Sequence, residues 1–300
     1  MSVPFIGPEA ESKLDWLALT RALAAGHDLP RAEIGDTFLY RDPDTLLSRA
    51  AWIDGLGALV KTATIFPGNT ARGKPAIGGA VSLFSDDDGT LAAMLDFTLV
   101  TKWKTAGDSL LAATRLARPD ADRILIVGSG TVAASLHAAY SAAFPNATFT
   151  VWSRTDASAR RFADLHAIGH ATDLSTAVRD ADIVTCATMT TEPTLKGAWL
   201  RPGQHIDLIG AYRPDMREAD DDALRRARIF VDSRATTLDH IGELKTPIAT
   251  GAISKSDIVA DYYDGPAMRR GSDDEITLFK NGGGAHLDLM TARHILDVVA

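Results

Sequence analysis

From Arg123 onward, short apolar runs alternate with amphipathic stretches, the pattern that parallel strands joined by crossover helices leave in a sequence. The runs from Arg123 to Gly128, Thr148 to Ser153, Asp182 to Thr188, His205 to Gly210 and Arg228 to Ser233 read as strands. Between them, Thr131 to Phe144 and Asp156 to His166 place apolar residues at three- and four-residue steps and read as helices. This half of the chain is predicted to be α/β and doubly wound.

The first 120 or so residues carry a different pattern. A helix is expected from Glu9 to Ala25, followed by strands from Thr45 to Trp52, Gly57 to Phe66, Ile77 to Phe84 and Leu91 to Phe97, with no regular helices between them. Asp86-Asp87-Asp88-Gly89 is a hairpin turn signal between the last two. A helix from Leu99 to Ala117 then runs into Arg118-Pro119-Asp120, a boundary signal. At the other end, Glu275 to Lys280 reads as one more strand, Asn281-Gly282-Gly283-Gly284 as a sharp turn and His286 to Val299 as a closing helix.

Length and composition narrow the class. A chain of 300 residues fits two domains, and 46% hydrophobic with 23% charged residues is an ordinary globular mix. The net charge of −8 is spread through the chain, without a basic patch, so no nucleic-acid partner is expected. No segment approaches the ~20 apolar residues of a membrane span, and the first residues lack a leader pattern. No membrane partner and a cytoplasmic location are therefore expected. Cys186, the single cysteine, lies in the apolar run Ile183 to Ala187 and reads as a buried structural thiol. The histidines His27, His137 and His166 lack metal-ligand spacing, so no metal is expected.

The segment Ile124-Leu125-Ile126-Val127-Gly128-Ser129-Gly130-Thr131-Val132-Ala133 places GxGxxA between a strand and a helix. Gly128 permits the tight turn, Gly130 lets backbone approach a pyrophosphate, and Ala133 allows close helix–strand packing. Amides at the helix start, around Ser129, Thr131 and Val132, are donors for phosphate. After the second strand stands Trp152-Ser153-Arg154-Thr155, without the carboxylate that would hold the ribose hydroxyls of NAD. Arg154 between the hydroxyls of Ser153 and Thr155 suits a 2′-phosphate, so the expected cofactor is NADP(H), with NAD(H) left open.

The stretches Val60-Lys61-Thr62, Phe66-Pro67-Gly68-Asn69, Thr101 to Ala106, the glycine loop and Arg228-Ile229-Phe230-Val231-Asp232 resemble the ornithine cyclodeaminase and mu-crystallin family, from about Leu46 to the C-terminus. The resemblance implies a substrate-binding and dimerisation domain over residues 1–118, completed by 280–300, and a Rossmann domain over 119–279. It implies a homodimer, and it adds Thr188, Met189 and Gly210 to the cofactor-binding residues. Lys61 is expected near the substrate as a carboxylate holder or proton donor. Lys104 stands where the family has an arginine that clamps the substrate carboxylate, so a point charge replaces a fork. Tyr212 stands where cyclodeaminases carry an acid/base aspartate, with Asp207 and Asp215 as nearby substitutes. Tyr212 and Asn281 are assigned to substrate binding. His286 is read as a helix N-terminal or structural histidine, with a proton donor as the alternative, and Glu243 and Lys245 as structural.

Together these expectations describe an NAD(P)H-dependent reductase of a small cyclic imino acid, converting Δ1-pyrroline-2-carboxylate or Δ1-piperideine-2-carboxylate to L-proline or L-pipecolate. The alternatives are an ornithine cyclodeaminase or alanine dehydrogenase-like enzyme, and a non-catalytic NADPH-binding protein like the crystallin relatives.

Overall fold

The computed structural model describes residues 3–300. In chain order its strands and α-helices are β1 (Phe5–Ile6), α1 (Trp16–His27), β2 (Glu33–Arg41), β3 (Asp44–Ile53), β4 (Gly57–Ile65), β5 (Ile77–Phe84), β6 (Leu91–Asp96), α2 (Phe97–Leu116), β7 (Arg123–Val127), α3 (Thr131–Ala143), β8 (Thr148–Trp152), α4 (Asp156–His166), β9 (Gly169–His170), α5 (Leu174–Asp180), β10 (Ile183–Cys186), β11 (His205–Leu208), α6 (Asp221–Arg226), β12 (Arg228–Val231), α7 (Arg234–Thr237), α8 (Gly242–Ala249), β13 (Ile258–Ala260), β14 (Thr277–Lys280) and α9 (Ala285–Val299). The chain divides into two compact units: the first runs through Lys104 and is completed by Gly283–Ala300, and the second is Thr105–Gly282.

The first unit is built on a six-stranded sheet in the order β1-β6-β5-β4-β3-β2, antiparallel except for the β1–β6 pair. In β4 burial alternates, so Gly57, Leu59, Lys61 and Ala63 face inward. That alternation sets a lysine among apolar neighbours. Helix α9 lies against β3, β4 and β5 and against α1, and its first eight residues, Ala285 to Ala292, are all buried.

Two expectations for this unit are corrected. The helix expected from Glu9 to Ala25 is a short 3-10 helix, Pro8–Lys13, and then α1, with Leu14 extended between them. The break is made by Asp15, whose carboxylate accepts a 2.7 Å bond from the Ala18 amide and caps the new helix, a contribution of about 1 kcal/mol. Strand β2 was not anticipated. It pairs with β3 alone, all nine of its residues are exposed, and an edge strand without a buried face has no alternation to read.

The second unit holds an eight-stranded sheet, all parallel, in the order β13-β12-β14-β11-β10-β7-β8-β9. Five of its strands, β7, β8, β10, β11 and β12, are expected strands that end short of the expected C-terminal residue, β14 is the expected strand begun two residues later, and the edge strands β9 and β13, only two and three residues long, were not anticipated. In the five, the last residues leave the ladder to form loops: Gly128, Ser153, Thr188, Gly210 and Ser233 all lie outside β-structure. Leu125, Val127, Val184, Cys186, Ile206 and Leu208 belong to one apolar cluster of the sheet's core. The Cys186 thiol is 1% exposed and is pushed well above its usual pKa by burial, which keeps it inert. Strand β14, late in sequence, inserts between β11 and β12. The strand order reverses at β7, with β8 and β10 on its two sides, and open α/β sheets bind ligands in the crevice at such a point. Among the described residues no helix is long and apolar enough to cross a membrane.

Candidate active site

In the second unit, the loop after β7 has the geometry of a dinucleotide cradle. Gly128 sits at φ 118°, and a Cβ there would come within 2.7 Å of the Ala187 carbonyl oxygen, so only glycine is accommodated. A Cβ on Gly130 would meet nothing, leaving its outer side open to a ligand. Gly130 also caps α3 without any side-chain bond, so the first amides of the helix are not taken by a capping side chain. Thr131 and Val132 are exposed and Ala133 is buried. These features fit a pyrophosphate.

The neighbouring loops complete this edge. Ser129 Oγ donates to Ser153 Oγ at 3.2 Å, which ties the glycine loop to the end of β8. Arg154 and Thr155 are exposed, and Arg154 forms no ion pair among the described residues. On the other side of β7, Thr188 is half-buried and Met189 is 76% exposed. Gly210 lies against Thr188, with a Cβ-sized clash against the Thr188 backbone if it were any other residue.

The first unit gathers a different chemistry. Lys61 is 6% exposed and its Nζ donates to Asp288 Oδ1 at 2.8 Å, over the Phe97 ring at 4.8 Å. Burial lowers Lys61 from its ordinary range to about 8, against the opposing pull of Asp288. Burial alone would raise the Asp288 carboxyl, but Lys61, Lys104 and Arg49 outweigh it and hold it below the usual range. The second oxygen of Asp288 is buried without a hydrogen-bond partner. Lys104, at the end of this unit on α2, is also buried, at 7% exposed. Arg49 on β3 bonds Asp36 at 2.7 Å and the Gly283 carbonyl at 2.9 Å.

His286 is fully buried, edge-on to His27 at 5.4 Å between ring centres. Burial, with Lys104 nearby, lowers it to about 3. It is therefore neutral across the ordinary pH range and cannot serve there as a cationic acid.

Tyr212 is 58% exposed beside Arg213. The two aspartates near it are both committed. Asp207 is fully buried and accepts bonds from Tyr140 Oη at 2.8 Å, Thr185 Oγ1 at 3.0 Å and Ser109 Oγ at 3.2 Å. Asp215 is paired in parallel with Arg213 at 2.8 and 2.9 Å. Asn281 is buried, its amide donating to the Thr105 carbonyl and Ser109 Oγ, both at 3.0 Å. Among the described residues no group of three or more His, Cys, Asp or Glu side chains is placed to hold a metal.

Several residues here were not singled out by sequence reasoning. Asp288 meets Lys61 only through tertiary packing, whereas Arg49 stands directly opposite it in the β3–β4 hairpin. Glu218 and Lys280 are fully buried charges in the second unit. Burial raises Glu218 to about 8, with Lys280 opposing, and the same burial lowers Lys280. Glu243, read as structural, is buried and raised as well. The detectable signal would have been charged residues inside otherwise apolar strand or helix patterns.

Comparison with known proteins gives a consistent set of likenesses. The profile of the Ornithine cyclodeaminase/mu-crystallin family matches residues 54–300. The Delta(1)-pyrroline-2-carboxylate reductase of Paracoccus denitrificans is 52% identical over 304 residues, covering 97% of this chain and 95% of that protein. The mouse ketimine reductase mu-crystallin is 32% identical over 240 residues, 79% of this chain and 74% of the relative. Among solved structures, Thermococcus litoralis Delta(1)-pyrroline-2-carboxylate reductase in complex with NADH and L-proline superposes with a TM-score of 0.88 at 25% identity, covering 99% of this chain and 97% of that one. An archaeal alanine dehydrogenase dimer with bound NAD gives 0.90 at 25% identity, covering 100% and 96%.

Proposed function

The chain belongs to the ornithine cyclodeaminase/mu-crystallin family, and on that premise we propose that it reduces Δ1-pyrroline-2-carboxylate to L-proline with a nicotinamide cofactor. The observation that carries this reading is the 52% identity to a reductase of that imino acid along nearly the whole chain. The buried Lys61–Asp288 pair with Lys104 in the same unit supports it, because a cyclic imine carboxylate needs a cation for its carboxylate and a proton for its nitrogen. Δ1-Piperideine-2-carboxylate, one methylene larger, is the second substrate of the same chemistry.

When bound, the reduced nicotinamide supplies the hydride that adds to C2. The residues do the rest. Lys104 neutralises the carboxylate. Lys61 Nζ gives its proton to the imine nitrogen, which makes C2 more electrophilic as the hydride arrives. Asp288 holds the ammonium in place, and the Phe97 ring shields its other side. A lysine poised near 8 is a better acid at neutral pH than an ordinary one, since proton donation is most effective when the pKa lies near the working pH.

The test is direct: purified protein is mixed with NADPH or NADH and Δ1-pyrroline-2-carboxylate, and nicotinamide absorbance is followed. Stoichiometric cofactor oxidation with formation of L-proline is expected; no oxidation at any pH would sink the assignment. Ornithine should release no ammonia, since Tyr212 replaces the expected aspartate and Asp207 and Asp215 are both committed to other partners.

We infer NADPH as the preferred donor from Arg154 and its flanking hydroxyls. Loss of a charge-assisted phosphate contact costs about 1.5–3 kcal/mol, which is about 10–150-fold in affinity. Arg154→Ala should therefore raise the NADPH Michaelis constant within that range and leave that for NADH unchanged. Equal effects on the two cofactors would remove the 2′-phosphate contact.

The working form is inferred to be a homodimer in the cytoplasm, using the open edge of the first unit. Phe38 and Tyr40 on one face of β2 are 46% and 76% exposed and Leu39 on the other 61%, with Leu46 at 38% and Trp52 at 56% on β3, exposed apolar side chains of the kind that mark an association surface. Light scattering should give twice the chain mass for the wild type and a monomer for Phe38→Asp/Tyr40→Asp. A variant that stays dimeric would place the interface elsewhere.

A further inference from the structure

We propose that Glu218 is a positioning residue for the nicotinamide half of the cofactor, acting as a splint between the two loops on which that half rests. This proposal stands on the dinucleotide reading above. A Rossmann-type sheet receives its dinucleotide across the switch point, with one mononucleotide half on each side of it. Here the adenosine side is that of β8 and Arg154, and the nicotinamide side is that of β10 and β11.

Those last two strands end in loops joined by a single carboxylate. Glu218 Oε1 accepts from the Thr188 amide at 2.7 Å and from Thr188 Oγ1 at 2.8 Å. Its other oxygen accepts from the Gly210 amide at 2.6 Å and the Ala211 amide at 3.4 Å. Three backbone amides and one hydroxyl converge on its two oxygens, an arrangement that favours the ionised form against the burial that opposes it. Gly210 lets the two loops meet, since a side chain there would strike the Thr188 backbone.

The backbone that carries Glu218 is itself held. Glu243 on α8 accepts from the Glu218 amide at 2.6 Å and the Ala219 amide at 3.0 Å. Lys280 is fully buried at the end of β14 and donates to the Leu208 and Asn281 carbonyls at 2.9 and 2.8 Å, supplying the positive charge that offsets the acids. Burying such a charged set is costly unless each member is paired. For the apolar interior alone, hydrophobic residues would serve as well. What the charges add is a fixed spacing between backbone amides of separate loops.

The test compares two probes on the holo-competent protein: NADPH, and 2′-phospho-ADP-ribose, which is the same molecule without nicotinamide. Binding is measured by calorimetry for wild type and Glu218→Gln, which keeps one acceptor oxygen but turns the other into a donor facing donors. NADPH affinity is expected to fall about tenfold or more, as loss of a bond to a charged group implies, with 2′-phospho-ADP-ribose affinity unchanged. If Glu218→Gln does not fold, Thr188→Val removes one bond of the splint and should show the same selective loss, several-fold in size. Equal losses for both probes, or no loss for either, would overturn the positioning role. Failure of the wild type to bind either probe would overturn the dinucleotide reading first and this inference with it, whereas binding without imine reduction would touch only the substrate assignment.

Discussion

Lys61→Ala is expected to lower turnover of Δ1-pyrroline-2-carboxylate by about 10²–10⁴-fold, the range that a positioned proton donor contributes, while NADPH binding is retained. The retained binding follows from the fold, since the glycine loop and Arg154 belong to the other unit. The pH profile gives a second reading of the same residue. Lys61 is lowered to about 8, so the wild-type rate should fall as pH rises through that value and the donor proton is lost. Below it, the ammonium is intact and this limb is flat. Lys61→Arg, which stays protonated throughout, should lose the alkaline limb even if it is slow. Wild-type turnover in Lys61→Ala would take this residue out of the chemistry.

The second large effect is on stability. Asp288→Ala leaves Lys61 without its ion-pair partner at 6% exposure, with Lys104 and Arg49 adding like charge. Removing one member of a buried pair costs about 3–5 kcal/mol, a large share of the roughly 5–15 kcal/mol by which domains are stable. Urea unfolding should show a midpoint far below wild type. Asp288→Asn keeps the shape and an acceptor, so it should be milder. It also removes the charge that opposes the lowering of Lys61, so the alkaline limb should move to lower pH. An unchanged unfolding midpoint in Asp288→Ala would mean that the pair contributes nothing to the fold.

Much of this was legible along the chain. The parallel strands of the second unit are short apolar runs, and the residues that close them are small or polar, so the pattern marks both the strand and its exit. The glycine loop carries its own steric reason, visible at Gly128. Lys61 was marked by the family resemblance of Val60-Lys61-Thr62, and the structure then sends Leu59, Lys61 and Ala63 to one side of the strand. A lysine in that row is either an error or a function.

Other features had no local signal. Strand β2 has no buried face in the single chain, and burial is what creates alternation. The N-terminal helix looked continuous because its apolar spacing continues through Leu14, yet the Asp15 cap breaks it. Tyr212 marks a departure from the cyclodeaminase pattern in the sequence, but that Asp207 is locked by three hydroxyls and Asp215 by Arg213 is a property of side-chain geometry.

By itself, then, the sequence determined the two kinds of sheet and the glycine loop, because each follows from periodicity or sterics within a few residues. Only the tertiary structure decided what those features work with. Asp288 reaches Lys61 across 227 residues of chain, β14 slips between β11 and β12 to bring Lys280 under the loops, and Glu218 joins Thr188 to Gly210. Each of these is a charge placed inside the protein, and a buried charge is stable only where the fold supplies its partner.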